Sequence, residues 1–147
     1  MDEPNPANTT SGEGQILRYT QYMKKYLLWL LTLSWAFLIW HLTITPQIVV
    51  TEDFWLQEVL MMGAHFIFFG VQAMFLFLAL RTNISALILS SAYGLIIELT
   101  QRTIPGRSAD VLDWILDTLG AIIFLAIITK YENSRYRRSW LHRSDHR

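Results

Sequence analysis

LMMGAHFIFFGVQAMFLFLAL, residues 60–80, runs for 21 positions without an aspartate, glutamate, lysine or arginine. A helix needs about 20 mostly apolar residues to cross the ~30 Å hydrocarbon core of a bilayer. This stretch has the length and the composition of one complete crossing. Three more apolar runs lie around it, at 26–44, 84–99 and 111–129. The first and last are also long enough; the 84–99 run is shorter and ends at an acidic segment. The whole chain of 147 residues is 52% hydrophobic and only 16% charged, against roughly a quarter charged in soluble domains. Four such runs in so short a chain leave little polar surface for a soluble helical bundle. The sequence predicts an all-α integral membrane protein with four transmembrane helices in a compact bundle.

The ends differ from the middle. Residues 1–25 begin MDEPNPANTTSGEG, acidic where a secretory signal is basic, and are expected to form a disordered tail. Residues 26–130 form the membrane domain, and 131–147 a basic tail. Formal net charge is zero and there is no cysteine. Nucleic acid is therefore not an expected partner, and disulfides, thiolate metal sites and cysteine nucleophiles are excluded.

Basic residues set the expected orientation. Arg18, Lys24 and Lys25 precede the first run, Arg81 lies between the second and third, and Lys130, Arg135, Arg137, Arg138, Arg143 and Arg147 follow the fourth. Only Arg102 and Arg107 lie on the other side. The excess of lysine and arginine on the cytoplasmic side of membrane proteins places both termini in the cytoplasm, and loops 45–59 and 100–110 outside. Thr82-Asn83 makes a minimal inner turn. Pro105-Gly106 suits a tight outer bend, since proline fixes φ and glycine accepts positive φ.

The segment ELTQRTIPGRSADVLDWILDTLG, residues 98–120, holds four acids, two arginines and a glutamine between apolar runs. Glu98 and Gln101 sit three apart at the outer end of the third helix and share a face. Glu98 lies where the helix dipole disfavours negative charge, so it needs a partner; Arg107 and Arg102 are the nearest basic residues. The fourth helix is expected to start near Ser108, an N-cap residue type, with Asp110 in its first turn. Asp113 and Asp117 follow on the same face, and Asp117 lies about 10 Å deeper than Asp110 at 1.5 Å per residue. His65 lies about a turn and a half below the outer end of the second helix, and His41 near that of the first. Polar groups of four helices thus reach a similar depth. Charged residues in spans usually face the bundle interior and mark functional sites, although interhelical hydrogen bonds alone can hold helices together.

The series Glu98-x-x-Gln101, Pro105-Gly106-Arg107-Ser108, Asp110, Asp113 and Gly120, with the upstream His65-Phe66, resembles the signature of the VanZ-like membrane proteins over about residues 26–130. The chain departs from that pattern at Asp117, Phe124 and Met62, where the family commonly has asparagine, glycine and lysine. The family's founding member is associated with resistance to teicoplanin, which acts on lipid-linked cell-wall precursors outside the membrane.

Three functions compete. The expected one is an outward site for the polar head group of a membrane lipid or lipid-linked envelope precursor, formed by His65, Glu98, Gln101, Arg107, Asp110, Asp113 and Asp117. The alternative is a hydrolase or transferase on a lipid-linked substrate, with paired carboxylates as acid and base; no H-E-x-x-H or G-x-S-x-G motif is present. The third is a cation pathway down the aspartate stripe, which the apolar TLGAIIFLAII below Asp117 does not continue. No organic cofactor is expected. A divalent cation such as magnesium, held by Glu98, Asp110 and Asp113, would offset the negative excess.

Overall fold

The computed structural model describes residues 6–45, 49–104 and 110–144, with side chains at 12, 14–45, 49–104 and 110–135. It contains four helices: α1 (Pro6–Ile44), α2 (Phe54–Leu80), α3 (Asn83–Gln101) and α4 (Val111–Ser144). The described residues contain no strand. Each apolar run falls inside one helix, and all four helices are long and apolar enough to cross a membrane. At 19 residues, α3 is about 28 Å long and just spans the hydrocarbon.

Two helices run past the expected boundaries. Residues 6–25, read from sequence as a tail, continue α1. The stretch from Gln15 to Lys25 has no proline or glycine, so a helix nucleated in the apolar run propagates back through it at little cost. In the same way α4 carries on through the basic segment as far as Ser144.

The helices alternate in direction, and α2 packs against each of the other three. Among the described residues α1 also touches α3 but has no packing interface with α4. The α2–α3 turn is Arg81-Thr82. Arg81 takes a left-handed conformation (φ 61°), and its N–H donates to the Phe77 carbonyl at 2.7 Å, which caps the end of α2. Its guanidinium reaches Glu132 of α4 at 2.9 Å, and Thr129 Oγ1 donates to Asn83 Oδ1 at 3.1 Å. Together these hold the three helices at this end of the bundle.

The interior has two apolar layers. Near the Arg81 end, Ala73, Leu76 and Phe77 of α2 meet Ala86 of α3 and Ala121 and Leu125 of α4. Further along, Phe69, Ile97 and Ile39 form a second layer, flanked by Trp35, Phe68 and Tyr93. Large apolar side chains such as Leu30, Leu33, Phe37, Ile84, Ile88 and Ile127 point outward, as lipid contact requires. The His-Phe-Ile-Phe-Phe stretch divides by face: Phe69 is buried, Phe66 packs edge-on against Phe124, and Ile67 is exposed.

Small residues let the helices approach, as is general where lipid gives no hydrophobic drive for association. The closest approach is at Gly120 of α4, where a Cβ would overlap the backbone carbonyl of Phe66 in α2. Backbone cannot yield as a side-chain tip can. Gly120→Ala is therefore expected to lower stability by about 3 kcal/mol, the upper end for overpacking, seen as a lower thermal midpoint of the detergent-solubilised protein. An unchanged midpoint would show that α2 and α4 do not meet there.

Candidate functional site

The end of the bundle opposite Arg81 collects the polar residues. Asp53 caps α2, accepting the Leu56 N–H at 3.0 Å. Gln57 Oε1 takes the N–H groups of Val50 and Thr51 at 2.8 and 3.1 Å. This fixes where α2 starts, and so where His65 stands twelve residues on. Asp110 caps α4: its Oδ1 accepts the Leu112 N–H at 2.9 Å. The fourth helix thus begins at Val111, two residues later than a Ser108 cap would give. Asp113 takes the first-turn position expected for Asp110, where the helix dipole favours a carboxylate.

Three helices then meet at one point. His65 Nδ1 of α2 lies 3.0 Å from Asp117 Oδ1 of α4. An ionised carboxylate can only accept, so opposite one Nδ1 is the donor of this pair. Glu98 of α3 accepts the backbone N–H of Asp110 on Oε2 at 3.1 Å. One ligand-capable atom each from His65, Glu98 and Asp113 lie within 4.8 Å of one another. The surroundings are dry: Glu98 is 5% exposed, Gln101 3% and Asp117 1%. Glu98 Oε1 and Asp117 Oδ2 are buried without a hydrogen-bond partner. Among the described residues the only ion pair to these carboxylates is His65–Asp117.

A cavity of about 90 Å³ opens beside the cluster between α1, α2 and α3. Its walls are mainly apolar, including Ile39, Leu42, Phe68 and Ile97, and His65 and Gln101 stand among them. A smaller cavity of about 50 Å³ on the α3–α4 side is bordered by Glu98, Arg102 and Asp110.

The expected residues therefore separate. His65, Glu98, Asp113 and Asp117 converge, and Gln101 borders the adjoining cavity. Asp110 serves through its cap and its backbone N–H, so His65 takes the place expected for Asp110 beside Glu98 and Asp113. Arg107, Ser108 and Pro105-Gly106 lie outside the described residues. His41 stacks on Phe37 at the exposed face of α1.

A framework that the motif does not include supports the cluster. Trp114 Nε1 donates to the Ser91 carbonyl at 3.1 Å, and the Ser91 and Thr118 hydroxyls share a hydrogen bond of 2.9 Å. Tyr93 donates to the Ala36 carbonyl at 2.6 Å and Trp35 Nε1 to that of Phe68 at 3.0 Å, tying α1 in. Gly94 leaves room for Asp117: a Cβ there would stand 2.8 Å from Asp117 Oδ2. Gln72 is buried with Oε1 unpartnered, and its seven-residue spacing from His65 was the sequence signal that puts it on the same face.

A model of the VanZ/LLP1 family matches residues 6–131 of the chain. No curated protein and no solved structure gives a significant match.

The His65–Asp117 bond decides between two substitutions. Asp117→Asn keeps an acceptor for His65 Nδ1–H and is expected to leave the thermal midpoint nearly unchanged. Asp117→Leu strands that donor and is expected to cost about 1–3 kcal/mol. Equal stability of the two variants in thermal melts would mean the bond does not hold α2 to α4.

Proposed function

The chain belongs to the VanZ/LLP1 family, and we propose that this four-helix membrane protein binds the polar head group of a lipid-linked or cell-envelope molecule at the outer face of the membrane. The observation that carries this reading is the pairing of an apolar-walled cavity with a buried polar cluster. His65 belongs to both, and Gln101 lines the cavity beside Glu98. An amphiphile fits such a site: hydrocarbon lies along Ile39 and Phe68, while hydroxyl, amide or phosphate groups reach His65, Gln101 and Glu98. Both termini are cytoplasmic in this proposal, which the basic residues of the termini and of the Arg81 turn support. The cluster then faces the compartment where teicoplanin-type drugs meet lipid-linked precursors, so a contribution to glycopeptide resistance is consistent with it.

One observation favours enzymatic use of the same site. A histidine whose Nδ1–H is held by a buried carboxylate is oriented as a general base, and the His65–Asp117 pair has that arrangement. A hydrolase or transferase acting on the bound lipid would place His65 Nε2 against the reacting hydroxyl or water. A cation pathway is disfavoured. Beyond Gln72 and Ser90 the interior of the described bundle is closed by Ala73, Leu76, Phe77, Ala86, Ala121 and Leu125, which offer an ion no oxygen side chain.

Native mass spectrometry of the detergent-purified protein tests the proposal. Wild type is expected to carry a bound lipid-class molecule whose occupancy falls at least tenfold in His65→Ala and Gln101→Ala, with both variants still folded. A bound species retained equally in all three, or none in wild type, would refute it. A mass change of the bound species on incubation, lost in His65→Ala, would select the enzymatic reading.

A further inference from the structure

Three carboxylates around one imidazole make a poor seat for a phosphate-bearing head group. We propose that His65, Glu98 and Asp113 bind one divalent transition-metal ion, of the zinc or manganese class, at this end of the bundle. The inference rests on the reading of that end as a head-group site and names what offsets its negative charge.

The donors come from three helices, one from each of α2, α3 and α4, with one ligand atom apiece inside 4.8 Å. Metal–ligand bonds of about 2.0–2.2 Å place ligand atoms on a shared ion roughly 3–4 Å apart. Closing the set on an ion therefore asks the most distant pair to draw in by about 1–2 Å. Glu98 supplies an independent sign. Its Oε2 is held by the Asp110 N–H, which fixes the carboxylate, while Oε1 is buried without a partner in a residue only 5% exposed. An oxygen of that kind is costly to bury unless something binds it. Interhelical packing alone gives it no purpose.

Asp117 completes the arrangement without being a ligand. Its Oδ1 lies 3.0 Å from His65 Nδ1; with the hydrogen on Nδ1, Nε2 would be the donor nitrogen and Asp117 the outer carboxylate that fixes tautomer and ring orientation in many histidine metal sites. Ligand type then selects the metal. Magnesium and calcium take oxygen donors; one imidazole with two carboxylates suits zinc or manganese. Three protein ligands leave coordination positions open, and a phosphate or hydroxyl oxygen of the head group would fill one.

The test uses the full chain in detergent, stripped with EDTA and titrated with manganese(II), free ion being read by electron paramagnetic resonance. Wild type is expected to bind one ion per chain, displaced by zinc. Asp113→Asn and His65→Ala should weaken binding at least tenfold, and Asp117→Asn by about 10–100-fold through the outer carboxylate. Glu132→Gln, at the opposite end beside Arg81, should leave it unchanged. No binding by folded wild type, or equal binding by the Asp113 and His65 variants, overturns the site. Mass spectra of the same EDTA-stripped protein separate the two ideas. Lipid retained at full occupancy without metal keeps the head-group reading and overturns the ion's role in offsetting the charge there. Metal bound with no lipid keeps the ion and removes the head group.

Discussion

A carboxylate at membrane depth survives only where protein encloses it, and this fold is arranged around that constraint. Asp117 lies seven residues inside α4 and is 1% exposed. Lipid cannot solvate it, and a few kcal/mol oppose its insertion. It is housed because α2 brings His65 to one oxygen and α3 brings Gly94 against the other. His65 is near because α2 and α4 approach closely at Gly120. The polar site and the tight packing are one feature: small residues draw the helices together, and the space left between their polar side chains becomes the site.

The same constraint gives α2 its central place. It packs against all three other helices, as α3 also does, and along one face it presents His65, Phe69, Gln72 and Ala73. That face passes from polar to apolar over about two turns. Below it the alanine-rich layer seals the bundle. Above it Glu98, Asp113 and Asp117 gather around His65, while Trp35 and Tyr93 bind α1 to the side where the cavity opens. A site that opens between helices rather than through them suits a ligand arriving from the bilayer.

Most of the fold could be read from the sequence, because bilayer thickness sets a length that an uncharged run such as 60–80 either meets or does not. Helix ends were less legible. Residues 6–25 and the stretch beyond Tyr131 are polar, and hydropathy says nothing about whether a helix continues through polar sequence. In the site, three- and four-residue spacing correctly put Asp113 and Asp117 on one face. The cap was misplaced, since Ser108 and Asp110 are equally good N-cap types and only the Leu112 N–H decides between them. With its Oδ1 on the Leu112 N–H, Asp110 serves as the cap, and the third member beside Glu98 and Asp113 is His65 of α2. The framework of Trp114, Ser91, Thr118 and Tyr93 could not be read, because bonds from side chains to carbonyls on other helices leave no spacing signal in one chain.

In the proposed function the buried charges serve a ligand and are tolerated by the fold, not needed by it. The most direct test is the thermal midpoint of the metal-stripped triple variant Glu98→Gln, Asp113→Asn, Asp117→Asn against wild type in detergent with EDTA. Neutral isosteres of buried charges are often neutral or stabilising when the charges do not hold a structure together. A midpoint equal to or above that of wild type is expected. A midpoint lower by several degrees would contradict it, and would show that the carboxylates are there to bind the helices to one another.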